Sequence, residues 1–152
     1  MKAKRSEIGK RAFYELQMTF ETNKDAMKAL GMTHRQHMYN WTYGGAPSAI
    51  YLQRLYANGI DVFYILTGKR SEKTENVNIE VSGEGIGARA YEECLRIWGN
   101  IEDATDDIDA SAPIVIQRWR NKVYPDAVNM AMLCEFGADI KYILTGERTN
   151  EN

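Results

Sequence analysis

The sequence "YILTGKR" at residues 64–70 recurs as "YILTGER" at residues 142–148. The two stretches are 78 positions apart, and the same offset pairs Ile8–Gly9 with Ile86–Gly87 without an insertion. Over the 66 positions in this register, 19 pairs are identical. One matching heptapeptide can arise by chance, but a common register over such a length indicates an internal duplication.

The repeat divides the chain into two small domains and a linker. The copies cover residues 5–70 and 83–148, so we expect domains at residues 1–70 and 83–152. The intervening "SEKTENVNIEVS", residues 71–82, is short and polar, which is typical of a linker. Domains of this size bury small cores. We therefore expect the copies to pack against each other or against another chain.

Charge is divided unevenly between the two copies. Residues 1–70 contain 11 Lys and Arg against 5 Asp and Glu, whereas residues 83–152 contain 7 against 13. A basic domain joined to an acidic one indicates that only the first domain meets a polyanion.

Apolar side chains recur at helical spacing and predict five short helices in the first copy. The expected helices are residues 6–20; 24–30, capped by Asn23 and ended by Gly31; 33–41, capped by Thr33; 49–58, capped by Ser48; and 61–66, capped by Asp61 and closed by Gly68. A helix, a tight turn at a glycine and a second helix are typical of the helix-turn-helix motif.

The sequence "ALGMTHRQHMYNW", residues 29–41, resembles the N-terminal helix-turn-helix domain of phage CI-type repressors, within the Cro/CI class. The matching marks are Ala29-Leu30-Gly31, Asn40-Trp41, Pro47 and Leu66-Thr67-Gly68. The resemblance covers nearly all of the first copy and, more weakly, the second. It implies an all-α protein made of two tandem five-helix lambda-repressor-like helix-turn-helix domains, with DNA as the ligand.

The predicted recognition helix has an apolar side and a polar side. Met38 and Trp41 are three residues apart, so we expect both to face the core. The other side offers five candidates for base readout: His34, Arg35, Gln36, Tyr39 and Asn40. Arginine matches the guanine edge in the major groove, and Gln and Asn match adenine. Early residues of a recognition helix approach the base edges.

Residues around this helix are candidates for phosphate contacts. They are Lys10, Arg11, Lys24, Lys28, Thr33, Thr42 and Tyr43. Two other interpretations remain open. The polar side chains are solvated only, or His34 and His37 bind a metal, although no Cys or carboxylate nearby supports a metal site.

The second copy keeps the repeat but loses the basic residues. Glu102 and Asp106 stand at the positions of Lys24 and Lys28, and Asp109 stands at the position of Gly31. Carboxylates at these positions would be repelled by phosphates. We therefore expect this copy not to dock on DNA through the equivalent surface.

The equivalent readout face is also apolar, because residues 113–115 read Pro-Ile-Val. Ile114 and Val115 are typical of a protein-contact surface, and we expect this surface to serve dimerisation. The alternative is that both are core residues of a shifted helix. Three cations, Arg118, Arg120 and Lys122, argue against the hypothesis because they are able to contact phosphates.

Several function classes find no support in the sequence. Cys94 and Cys134 occupy apolar helix positions, so we expect buried free thiols rather than a disulfide or a redox site. We find no nucleophile–base pair, metal cluster or cofactor fingerprint, and expect neither an enzyme nor a cofactor. No apolar stretch has the length of a membrane span, and no secretory signal is evident, so we expect a cytoplasmic protein.

These observations predict a sequence-specific transcriptional regulator, a phage or prophage repressor that acts at the nucleoid of a bacterial host. We expect a homodimer on a pseudo-palindromic operator, with a phage or host regulatory protein as a further partner. One alternative is a protein-interaction module, an antirepressor or decoy that retains the fold. In a variant, both copies bind DNA and one chain covers two half-sites. The operator, the regulated gene and the choice between repression and activation do not follow from the sequence.

Overall fold

The described part of the protein is all-helical, which confirms the expected all-α class. The computed structural model describes residues 4–71 and 82–149, and within these ranges it contains α-helices and 3₁₀ turns but no strand. The predicted linker therefore lies almost wholly outside the described residues. None of the described helices has both the length and the apolarity needed to cross a bilayer.

Five α-helices form the N-terminal half, residues 4–71. They are α1 (Arg5–Thr19), α2 (Asn23–Leu30), α3 (Arg35–Tyr39), α4 (Ala49–Ala57) and α5 (Val62–Thr67), and the 3₁₀ turn Asn40–Thr42 directly continues α3. The predicted caps Ser48 and Asp61 are confirmed, since their side chains accept from the backbone N–H groups of Tyr51 and Tyr64. Gly31 ends α2 in the left-handed conformation, as predicted.

Two of the predicted caps are wrong. The Thr22 side chain accepts from Asp25 N at 3.1 Å and caps α2, so that Asn23 lies inside the helix. The backbone of His34 is still extended, so α3 begins only at Arg35 and has no side-chain cap from Thr33. The predicted helix over residues 33–41 is therefore a short α-helix that tightens into a 3₁₀ turn.

The C-terminal half, residues 82–149, repeats this arrangement. Its helices are α6 (Ile86–Trp98), α7 (Ile101–Asp107), α8 (Pro113–Arg118), α9 (Ala127–Glu135) and α10 (Ile140–Thr145), with a 3₁₀ turn at Trp119–Asn121. The offset of 78 residues carries α4 onto α9 and α5 onto α10. The left-handed backbone conformation is retained even where glycine is replaced, since Asp109 has φ 59° at the position where Gly31 has φ 67°.

A close approach between α1 and the turn after α3 requires glycine at position 9. A Cβ atom on Gly9 would lie 2.5 Å from the carbonyl oxygen of Trp41 and closer still to that of Gly45. At the repeat counterpart, Gly87, a Cβ atom would lie 2.6 Å from Val123 O. In each half, the first helix thus contacts the backbone of the 3₁₀ turn and of the loop after it without an intervening side chain.

The two halves pack through their last two helices. Helix α5 packs against α9, and α10 packs against α4. Since α9 is the repeat counterpart of α4 and α10 that of α5, each contact becomes the other when the halves are exchanged. An interface of this kind is related by an approximate two-fold axis, as in a symmetric dimer.

The buried side chains of both halves form one continuous apolar core. Helix α9 is buried along most of its length, and it packs against α5 and α1 of the other half. Gln53, 2% exposed, crosses the interface. Its amide nitrogen donates to Leu144 O at 2.9 Å, and its amide oxygen accepts from Gly83 N at 2.8 Å. Both polar atoms of this buried side chain are therefore satisfied.

Candidate nucleic-acid interface

The turn between α2 and α3 is fixed from two sides. Gly31 adopts a left-handed conformation at φ 67°, and Met32 N donates to Met27 O at 2.9 Å. The Arg54 guanidinium of α4 donates to Leu30 O at 2.8 Å and so satisfies a carbonyl at the end of α2. Helix α3 thus leaves the turn in a defined direction.

Helix α3 and the turn that follows it have one buried side and one exposed side. Met38 is fully buried and Trp41 is 4% exposed, so the predicted anchoring of this segment from behind is confirmed. Arg35, Gln36 and Asn40 are exposed. Because the anchors belong to the apolar core, the polar side chains extend from a firmly held backbone.

The two amide side chains on the exposed side are paired. Gln36 Nε2 donates to Asn40 Oδ1 at 2.9 Å, across one turn of helix. The bond leaves the Gln36 amide oxygen as an acceptor and the Asn40 amide nitrogen as a donor on the same exposed side. An amide that donates and accepts together is the group that matches the major-groove edge of adenine.

Tyr39, a predicted base-reading residue, is half-buried and occupied. Its ring lies 5.7 Å from that of Phe13, and its hydroxyl accepts from Asn23 Nδ2 at 2.9 Å. The Asn23 oxygen in turn accepts from Gln17 Nε2 at 2.8 Å. Tyr39 therefore attaches α3 to α1 and α2, and its geometry suits a positioning role better than base contact.

The two histidines at the start of α3 are exposed and lie edge to face, with ring centroids 5.9 Å apart. Within residues 4–71 and 82–149, no group of three or more His, Cys, Asp or Glu side chains is arranged to hold a metal ion. His34 and His37 thus lack a third protein ligand in the described part of the chain.

Five of the seven predicted phosphate-contact residues are exposed: Lys10, Lys24, Lys28, Thr33 and Tyr43. The other two are engaged elsewhere. Arg11 donates from Nε to Ile65 O at 2.8 Å and from Nη2 to Leu66 O at 3.3 Å, which ties α1 to the end of α5. Thr42 is half-buried and donates its hydroxyl to Tyr39 O at 2.7 Å. For Arg11, the buried carbonyls at the end of α5 compete with any external phosphate.

A cleft of about 270 Å³ lies at the C-terminal end of α3. His37 and Asn40 line one side, Ser48 and Tyr51 line the other, and Arg5 from the start of α1 completes the wall. Arg5 is a cation that lies close to one base-reading candidate, Asn40, although the two are 35 residues apart in sequence. The basic residues Lys2, Lys4 and Arg5 predict an arm beside the duplex, but they do not predict that Arg5 lies at the end of α3.

The counterpart surface of the C-terminal half has a different chemistry. Pro113 is the first residue of α8, where its missing N–H costs no helical hydrogen bond. Ile114 is 48% exposed and is therefore not a core residue, whereas Val115 is half-buried. On the neighbouring α7, the exposed carboxylates are Glu102, Asp103, Asp106 and Asp107.

A buried carboxylate that recurs in both halves was not predicted from the sequence. Glu93 is fully buried, and it accepts hydrogen bonds from Arg96, from Asp139 N at 2.7 Å and from Arg148 at 2.8 Å. Burial alone would raise the pKa of Glu93, but these hydrogen bonds outweigh it and lower the pKa to about 2. The carboxylate thereby fastens α6 to the two ends of α10.

The N-terminal half has the same device with fewer partners. Glu15, 7% exposed, forms an ion pair with Arg70, whose guanidinium stacks 3.7 Å from the centroid of the Tyr64 ring. Arg148 stacks on Tyr142 in the same way. The signal was present in the sequence, because a Glu on an otherwise apolar helix face is identical in two diverged copies.

Both cysteines are buried and unpaired, as predicted. Burial raises the pKa of the Cys94 thiol and that of the Cys134 thiol to about 12. Both thiols are therefore protonated at neutral pH and are poor nucleophiles.

Comparison with known protein families, with curated proteins and with solved structures found no match for this chain.

Proposed function

We propose that the protein is a sequence-specific DNA-binding transcriptional regulator of the phage-repressor type. In this proposal each half is a five-helix helix-turn-helix domain, and the N-terminal half reads the major groove with the exposed side of α3. A phage or prophage repressor in the bacterial cytoplasm is the most economical form of the proposal. No catalytic role, cofactor or metal belongs to it.

One observation carries the proposal: α3 is anchored from behind and presents readout chemistry in front. Met38 and Trp41 hold the segment in the core, and Arg35, Gln36 and Asn40 are exposed on the other side. Arg offers a bidentate donor for guanine, and the amide pair offers donor and acceptor groups for adenine. A merely solvated helix does not require this combination on a rigid support.

The charges around α3 support the same function. Lys24 and Lys28 are exposed on α2, which packs beside α3, and Arg5 lies at the other end of α3. Cations on both sides of a readout helix fit two phosphate strands that border a groove. We assign Tyr39 and Arg11 to positioning α3 and α5 rather than to DNA contact, because their polar groups are already bonded within the protein.

The C-terminal half has a supporting role in this proposal. Its α7 carboxylates stand where α2 has lysines, so phosphates would repel this surface. A single helix-turn-helix domain covers only one half-site, so a second domain at its side is the usual requirement for a stable complex. Pairing of domains is the function that we assign to the C-terminal half.

The proposal is tested by two alanine variants with different expected signatures. Arg35→Ala should weaken binding to the best operator by about 1–3 kcal/mol and relax the preference at one base position. Lys28→Ala should weaken binding to all sequences similarly. It should also reduce the slope of log affinity against log salt concentration by about 1, the value for one lost phosphate contact. Lys69→Ala, at an exposed lysine beyond α5, is the charge-matched control and should bind like wild type.

The measurement is a fluorescence-anisotropy titration on duplexes recovered from a random library, repeated at several salt concentrations. Equal binding by Arg35→Ala, Lys28→Ala and Lys69→Ala would refute the assignment of α3 as the recognition helix.

A second candidate function is supported by the exposure of Ile114 on α8. In this alternative the protein is an antirepressor or decoy that retains the fold and binds a regulatory protein. Failure to enrich any duplex from the random library, by a folded protein, would favour it over DNA binding.

A further inference from the structure

The pairing of the two halves resembles that of two subunits rather than that of two successive domains. Helix α5 packs against α9, and its repeat counterpart α10 packs against α4. Contacts that exchange in this way define an approximate two-fold axis. Two domains joined in an arbitrary orientation would have no such correspondence.

A second observation locates the axis. A cleft of about 210 Å³ is lined by residues that are repeat counterparts of one another. The pairs are Ala46 and Tyr124, Pro47 and Pro125, Ser48 and Asp126, and Ala49 and Ala127. Equivalent turns of the two halves therefore meet here, each just before the fourth helix of its half.

This axis cleft lies beside the candidate DNA-reading face. Arg5, Ala46 and Ser48 line both the axis cleft and the cleft at the end of α3. The C-terminal end of α3 therefore adjoins the axis cleft on one side. Exchange of the two halves places the end of α8 next to the axis cleft on the other side.

The surface that pairs the halves is already occupied within one chain. Gln53 bonds Leu144 O and Gly83 N across it, and both partners belong to the C-terminal half. Ile50 and Tyr124, one from each half, both lie against Gly83, within 3.5 Å of the position that a Cβ atom would take there. The same surface of α4 and α5 is consequently not available to another chain.

We infer that the C-terminal half is the built-in partner of the N-terminal half, so that one chain binds an asymmetric DNA element with a single half-site read through base contacts. This inference rests on the proposed function. It replaces the homodimer that the sequence predicts with a pseudo-dimer inside one chain. The counterparts of Arg35 and Gln36 are Pro113 and Ile114, so the half-site under α8 has no equivalent donors at these positions.

The two-fold relation between the halves also predicts which part of the DNA α7 faces. When α3 lies in the major groove, the two-fold relation brings α7 toward the phosphates of the neighbouring turn, as α2 is brought toward its own. Glu102 and Asp106, exposed on α7, then oppose binding. Replacing both with lysine restores the residue type found at Lys24 and Lys28.

The test compares two double variants with the same change in net charge. Glu102→Lys with Asp106→Lys should raise the affinity for any duplex at least about tenfold over wild type and steepen the salt slope by about 1.8, the value for two added phosphate contacts. Glu135→Lys with Glu147→Lys is the control, because these exposed carboxylates lie at the far end of α9 and beyond α10. It should produce a much smaller change.

Two further measurements complete the test. Analytical ultracentrifugation of the full chain, free and on selected duplexes, should give a monomer and one chain per duplex. Selection from random DNA should recover one conserved block and no inverted copy a helical turn away. Two chains on an inverted repeat, or equal gains from both lysine pairs, would overturn the inference while leaving the DNA-binding proposal intact. An absence of sequence-selective binding would overturn both.

Discussion

The buried carboxylate Glu93 gives the most quantitative prediction. Its pKa is lowered from 4.5 to about 2 in the folded protein, a difference that corresponds to about 3 kcal/mol of stability at neutral pH. Because the folded pKa lies below the unfolded one, this contribution is fully present above about pH 5 and is lost as the pH falls toward 2. By pH 3 less than about half of it should remain.

The perturbation is Glu93→Gln, which keeps the size of the side chain and removes its charge. At pH 7 the variant should unfold with a free energy lower by about 3 kcal/mol, because Arg96 and Arg148 lose their common anion. The difference between variant and wild type should shrink steadily between pH 5 and pH 3. Glu135→Gln, at an exposed position, is the matched control and should change little.

The assay is urea unfolding followed by tryptophan fluorescence at a series of pH values. A difference between wild type and Glu93→Gln that is as large at pH 3 as at pH 7 would refute the argument, since it would then arise from packing and not from charge.

Two other predictions concern the core. Gly9→Ala should destabilise the protein by about 3 kcal/mol or more, because the new Cβ would meet the carbonyl oxygens of Trp41 and Gly45. The measurement is urea unfolding, with the exposed Ser6→Ala as the control. Replacing glycine by alanine in an ordinary helix increases stability, so a gain in stability for Gly9→Ala would contradict the close approach. Cys94 and Cys134 should resist a thiol-specific chromogenic reagent at pH 7 in the native protein and react fully after unfolding, and rapid reaction of the native protein would contradict their burial.

Much of the fold follows from local signals in the sequence. The helix ends at Gly31, Ser48 and Asp61 were predictable because each depends on the backbone or side chain of one residue within a single turn. The choice between Thr22 and Asn23 was not, since both are good caps and only the path of the chain from α1 decides between them.

The candidate interface was predictable to a similar extent. Helical spacing alone assigned Met38 and Trp41 to the core and Arg35, Gln36 and Asn40 to the surface. The interactions that the sequence does not reveal involve partners distant in sequence. Tyr39 is bonded to Asn23, and Arg11 is bonded to carbonyls more than 50 residues away.

Three properties can be read from the amino-acid order alone: the chain contains two copies of one helical unit, one copy is basic and the other acidic, and one side of α3 is apolar. These properties follow from the composition, from the spacing of apolar residues and from the register of the repeat, all of which are fixed before the chain folds. The pairing of the copies through α4, α5, α9 and α10 about an approximate two-fold axis becomes evident only in the folded protein. This is because an apolar helix such as α9 favours burial but does not specify which helix it packs against. The neighbour is chosen by the fit of the whole surface, including one buried amide at Gln53 whose two bonds are made to the other half.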